Sequence, residues 1–388
     1  MKTISVPASY ESNRNDTFWL ILLGCFAFGG TKGRFIAGLG VFDFLILYLF
    51  VRSLRRLTLH QITLYLFGVA VYGVLVAAMN KFLIHHTYKD FFIAELRFYL
   101  YVPMIYQIVH TLEFKPSKLN LYLTVLILVY LVVYLFFMDY GSFLFEVFNE
   151  KRAKTAYDFL GRIKGPPMIM LSMLYFITLN YKPKIYNTLL YLLLITVVYI
   201  KTGERTVLFV NLLPVFWLIY EKRSIWMLAA LPVAASFIPL YVNTIQLKRF
   251  QNILHPLRDP AIRYRIENYR ILLFEKMPAH PHTFLTGFGI GSDYDAHVFK
   301  YFNHSYFLDN TYLMLLYKLG LPMALFYIVL VYSRVGHLPL KYQLYLILFI
   351  TIPALPMYHW LLQPAYLISY FIAIKFLTRE VRTRLYPS

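Results

Sequence analysis

The sequence predicts an all-α, polytopic membrane protein with about twelve transmembrane helices. Three observations carry this expectation. Of 388 residues, 59% are hydrophobic and only 15% charged, with a mean hydropathy of +0.57, which no ordinary soluble domain matches. Several apolar runs exceed the roughly 18 residues that a bilayer-spanning helix needs. The basic residues of the short loops alternate between two sides in unequal numbers. The single cysteine, Cys25, lies in an apolar run, so neither an intramolecular disulfide nor a cysteine metal cluster is expected. The polar stretch before Phe18 has no small-residue cleavage site after the first apolar run and reads as a tail before a retained helix. Tyr and Phe make up most of the 19% aromatic share and suit interfacial belts.

The spans fall at 17–30, 35–51, 59–80, 91–112, 119–138, 166–181, 185–200, 204–220, 224–243, 306–333, 340–357 and 360–377. Three parts follow: 1–243, holding nine spans and loop 139–165; the long loop 244–305; and 306–388, with three spans and a tail. A cytoplasmic N-terminus puts Arg52, Arg55, Arg56, Lys115, Lys118, Lys182, Lys184, Lys222, Arg223, Arg334 and Lys341 inside, with Lys375, Arg379, Arg382 and Arg384. The outer short loops carry only Lys32, Arg34, Lys81, Lys89, Lys201 and Arg205, as the positive-inside rule asks. Both long loops then face outward.

Those outer loops are basic too. Loop 244–305 carries Lys248, Arg249, Arg258, Arg263, Arg265, Arg270, Lys276 and Lys300 against Asp259, Glu267, Glu275, Asp293 and Asp295. Loop 139–165 adds Lys151, Arg152, Lys154, Arg162 and Lys164. Such charge attracts anionic lipid head groups or serves an anionic, phosphorylated substrate on the outer face. Nucleic acid is not an expected partner, because the basic residues are divided across a membrane.

Within the long loop, RYRIENYRILLFEK (263–276) reads as an amphipathic helix with Ile262, Ile266, Tyr269, Leu272 and Leu273 as its apolar stripe. Arg263, Glu267 and Arg270 share another face and can pair, whereas Arg265 borders the stripe. GFGIG (287–291) follows no strand and lies in no βαβ unit, so it reads as a turn whose backbone can form a nest for phosphate. Asp293-Tyr294-Asp295 resembles a metal-binding triplet of nucleotide-sugar transferases but stands outside any α/β domain. His280 and His282, like His85 and His86, read as surface histidines.

Charges inside spans are costly and mark function or pairing. Asp43, Arg97 and Lys318 lie toward the outer ends of their spans, and Glu204 and Arg205 stand at an outer mouth in KTGERT. Asp43 either neutralises Arg97 or Lys318, or the group lines an outward cavity. Asp309 and Asn310 begin the tenth span; Asp309 reads as a helix N-cap, without a capping-box partner at Tyr312, or as a functional carboxylate.

Taken in order, RIKGPP (162–167), TGERT (202–206), RIENY (265–269), GFGIG (287–291) and DNTYLMLLYKLGL (309–321) resemble stretches of the O-antigen polymerase and ligase superfamily. The resemblance covers most of residues 160–321. Asp309 stands where the ligases commonly carry His, which favours a polymerase. The resemblance implies a GT-C-type glycosyltransferase in the bacterial inner membrane, with its site facing the periplasm. Its donor would be an undecaprenyl-pyrophosphate-linked glycan, and it would need neither metal nor other cofactor. Arg205 and Arg265 would neutralise the departing pyrophosphate, since planar guanidinium forks match phosphate oxygens. Asp309 or His304 would take the acceptor proton. Arg97, Arg162, Glu204, Arg270, Asn310, Tyr312, Lys318, Gly287 and Gly289 would form the substrate-binding surface. A chain-length regulator protein is a partner of the same reading. A ligase acting on lipid A core and, from another class, a flippase or transporter are the alternatives.

Overall fold

The computed structural model describes residues 16–25, 41–56, 59–84, 92–132, 135, 166–202, 205–222, 266–267, 269–292, 310–355 and 360–385. These residues form helices and their connections, without a β-strand. The helices are α1 (Asp16–Cys25), α2 (Val41–Leu54), α3 (Gln61–Leu83), α4 (Phe92–Thr111), α5 (Leu119–Val132), α6 (Pro166–Tyr181), α7 (Ile185–Thr202), α8 (Arg205–Lys222), α9 (Thr311–Tyr332), α10 (Leu340–Ala354) and α11 (Pro364–Leu385). Shorter helical turns lie between α8 and α9. The expected span at 224–243 and loop 139–165 lie outside the described residues.

α6 and α11 form the centre, and α4 packs against α11 as well as α2 and α3. Met168 to Ile177 on α6 and Ala365 to Ile372 on α11 are buried almost without interruption. A helix apolar all round is stable only when other helices or lipid surround it. The perimeter is apolar as well. Leu64, Val71, Leu75 and Phe82, on one face of α3, are each more than half exposed, as are Leu121 on α5 and Leu189 and Leu193 on α7. Such a surface suits hydrocarbon. By length and composition alone, Gln61–Leu83 and Thr311–Val335 are apolar enough to cross a membrane.

Many tyrosines lie inside rather than in a belt. Tyr99, Tyr175, Tyr191, Tyr317, Tyr327, Tyr366 and Tyr370 are fully buried. Several satisfy their hydroxyls locally: Tyr327 donates to the Leu361 carbonyl at 2.6 Å and Tyr191 to Asn211 Oδ1 at 2.9 Å. The ring fills the core and the hydroxyl finds an acceptor, so aromatic content alone did not reveal their place.

The connections assigned to one side gather at one end of the bundle. Asp16 accepts from Arg52 at 2.8 Å, Arg56 at 2.5 Å and the Glu113 amide at 3.3 Å. Lys375 Nζ caps the end of α4 through the carbonyls of Val109, His110 and Leu112, where the helix dipole is negative. Lys341 pairs with Glu221 at 3.2 Å. We call this the basic end. At the opposite end, the turns of 283–292 enter between α3, α4 and α9.

Candidate functional site

α9 does not run straight. Gly320 adopts φ 72°, ψ 168°, and Pro322 follows it. The halves on either side fold back on each other, bringing the Tyr312 and Tyr332 hydroxyls to 2.5 Å although the residues are 20 apart in sequence. A straight helix would separate their Cα atoms by roughly 30 Å. Within the expected span 306–333, Thr311–Tyr332 is therefore a helical hairpin with Gly320 near its tip. The KLGLP sequence explains the break: Gly320 accepts the left-handed conformation, and Pro322 lacks the amide that the Lys318 carbonyl would otherwise receive.

The carbonyls freed at the tip are used by the GFGIG turn. Phe288 N–H donates to the Tyr317 carbonyl at 2.8 Å and Gly289 N–H to the Lys318 carbonyl at 2.9 Å. Ile290 N–H reaches the Gly73 carbonyl of α3 at 3.1 Å, and Asn80 Nδ2 donates to the Gly287 carbonyl at 2.9 Å. A β-carbon on Gly289 would strike the Ala77 backbone, and one on Gly320 would strike the Leu285 carbonyl. This close approach is why glycine stands at both. Irregular backbone among apolar helices survives only with its polar groups satisfied this way.

A buried ion pair locks the junction. Lys318 Nζ lies 3.0 Å from Glu95 Oε2, with side chains 4% and 2% exposed, and also donates to the Ser292 carbonyl. The same Glu95 oxygen accepts the Gly291 amide at 2.6 Å. Asp43 is thus not the partner of Lys318; it lies 3.9 Å from Arg97, a looser contact. Glu95 was missed in the sequence, although an acid inside the apolar run FFIAELRFYL is itself a signal.

Several expectations change. The amides of residues 287–292 all have partners within the protein, so Gly287 and Gly289 hold the scaffold together and leave no backbone nest for phosphate. The N-cap of α9 is Asn310, whose Oδ1 accepts from the Tyr312 and Leu313 amides at 3.0 and 3.1 Å, and not Asp309. Tyr312 joins a hydroxyl chain, since Tyr332 also lies 2.8 Å from Thr351 Oγ1. In the long loop, the helix passes through a π turn at Leu272–Lys276, which rotates the buried face. Ile271, Leu272 and Met277 are buried, whereas Ile266 and Leu273 of the expected stripe are exposed. Arg270 is exposed and pairs with Glu267 at 2.8 Å and Glu275 at 3.0 Å. Its hydrogen bond holds the Glu267 carboxyl below the usual carboxylate range.

The α8 helix begins at Arg205. Asp309, His304, Arg265, Arg162, Glu204 and the Asp293–Asp295 triplet lie outside the described residues. Of the expected site residues, the structure brings Gly287, Gly289 and Lys318 together at the hairpin tip and puts Asn310 and Tyr312 at its other end, beside Tyr332. No protein-family model matches the chain, and no curated protein is significantly similar to it.

Proposed function

We propose that the chain is an inner-membrane glycosyltransferase of GT-C type, with a hairpin in place of the tenth of its twelve expected spans, that polymerises undecaprenyl-pyrophosphate-linked repeat units into O-antigen or a related surface polysaccharide. The observation that carries this reading is the docking of GFGIG onto DNTYLMLLYKLG. Two of the five stretches behind the family resemblance, separate in sequence, hydrogen-bond directly through Phe288–Tyr317 and Gly289–Lys318. A third, TGERT, opens α8 at Arg205. The hydroxyl chain of Tyr312, Tyr332 and Thr351 beside Asn310 suits a polyhydroxylated ligand.

In this reading the site is reached from the periplasm: the hairpin tip lies at the periplasmic end, and the Asn310 end of α9 lies deeper in the bundle, beside Tyr332. Arg205 and Arg265 receive the charge that moves onto the leaving pyrophosphate. Asp309, or else His304, accepts the proton of the attacking hydroxyl, and the anomeric carbon inverts. The buried Glu95–Lys318 pair acts as scaffold, fixing the hairpin whose first half starts at the Asn310 cap.

The glycan of a deletion strain tests the reading. Lipid A core capped with a single repeat unit is the expected outcome. Uncapped core with accumulating lipid-linked polymer would assign the chain to the ligases instead. Unchanged glycan would reject both. The break in α9 favours a transporter to one degree, because discontinuous helices line transport sites; the sequence, however, has no second related half.

A further inference from the structure

The basic end holds a cavity of about 800 Å³ between α4, α11 and the turn that follows α9. Ligand sites commonly measure about 300–1,000 Å³. Its charged lining is cationic, with Arg334, Lys375 and Arg379, and no Asp or Glu lines it among the described residues. Its walls are apolar, formed by Phe371, Ile374 and Leu338. The nearest carboxylates around Lys375 are engaged elsewhere: Asp16 by Arg52 and Arg56, and Glu113 by Lys115 at 3.9 Å.

The cations differ in what they can offer. Lys375 spends its ammonium on the carbonyls of Val109, His110 and Leu112 at the end of α4, so it contributes charge to the cavity rather than hydrogen bonds. The Arg334 guanidinium donates to Ser333 Oγ at 3.0 Å and hydrogen-bonds the Tyr106 hydroxyl across the cavity, but its enclosed Nε has no acceptor within the protein among the described residues. A buried donor of this kind calls for an acceptor from a ligand. An apolar wall leading to a guanidinium and an ammonium matches an anionic amphiphile. Basic pockets between helices on the basic side of a membrane protein hold phosphate head groups by this chemistry.

We propose that this cavity binds an anionic phospholipid, its phosphate against Arg334 and Arg379 and its acyl chain along Phe371 and Ile374. The inference rests on membrane insertion and not on glycosyl transfer, so a failed glycan assay leaves it standing and its own failure leaves the glycan assay unaffected.

The test uses the full chain in neutral detergent, with native mass spectrometry after addition of phosphatidylglycerol or phosphatidylcholine. Phosphatidylglycerol is retained at least about tenfold better by the wild type. The double variant Arg334→Gln/Arg379→Gln loses that preference, while Arg334→Lys/Arg379→Lys keeps most of it. Val381→Trp fills the cavity without altering charge and lowers retention, which keeps the test informative if the Gln variant does not fold. Lys182→Gln/Lys184→Gln, exposed charges of the same end, leaves retention unchanged. Equal retention of both lipids, or an equal loss in the Lys182/Lys184 control, overturns the proposal. So does thermal stabilisation by millimolar inorganic phosphate equal to that by phosphatidylglycerol, which would assign the site to a free anion.

Discussion

The Tyr312 and Tyr332 hydroxyls meet at 2.5 Å within what hydropathy alone marks as one continuous span. That contact converts a membrane-length apolar run into a hairpin. It also places the Asn310 end of α9 beside Tyr332, not at the far end from it. Proximity of the two positions is measurable. In a Cys25→Ser background, spin labels at Tyr312→Cys and Tyr332→Cys report a separation well under 20 Å, whereas an unbroken helix gives roughly 30 Å. A distance near the longer value would remove the hairpin.

Gly320 makes the fold-back sterically feasible. At φ 72° an alanine costs about 1–2 kcal/mol from backbone conformation alone, before the collision with Leu285 is counted. Gly320→Ala therefore lowers the thermal unfolding midpoint and membrane yield. Gly68→Ala is the contrast: it lies inside α3 with open space around its β-position, and gains about 0.5–1 kcal/mol of helix stability. A neutral Gly320→Ala would contradict the geometry at the tip.

Removal of one member of the Glu95–Lys318 pair leaves the other charge buried. Glu95→Gln or Lys318→Met alone costs about 3–5 kcal/mol. The double variant Glu95→Gln/Lys318→Met recovers a large part of the summed loss, because glutamine still accepts the Gly291 amide and no charge remains. Denaturation of the four proteins in detergent measures the coupling; simple additivity would mean that the pair is not a unit.

Activity separates the arginines. Under the proposed chemistry, Arg205→Lys and Arg265→Lys each lose about 100- to 1000-fold in polymer synthesis, since lysine lacks the bidentate fork. Arg270→Lys changes little, because Arg270 is spent on Glu267 and Glu275 at the surface. Comparison requires equal membrane expression. Full polymer from both Lys variants would remove the arginines from the mechanism. Asp309→Asn tests the base separately, and because Asn310 already caps α9, lost activity cannot be ascribed to a lost cap.

The all-helical character, the apolar runs and the gathering of basic loops were legible in the sequence, because hydropathy and charge are properties of neighbouring residues. The conformational break was legible in principle too: Gly320 and Pro322 stand two apart in KLGLP. What the sequence could not decide was what that break serves. The freed Tyr317 and Lys318 carbonyls become meaningful only once the GFGIG turn lies against them. In the same way, Lys318 was visible as a costly intramembrane charge, but its partner lies 223 residues away on α4. Asp43 was as plausible by composition as Glu95. The choice between them, like the burial of the tyrosines that composition had assigned to a belt, depends on which helix faces pack together. A linear pattern reports how apolar a segment is; only packing determines which polar groups it must satisfy.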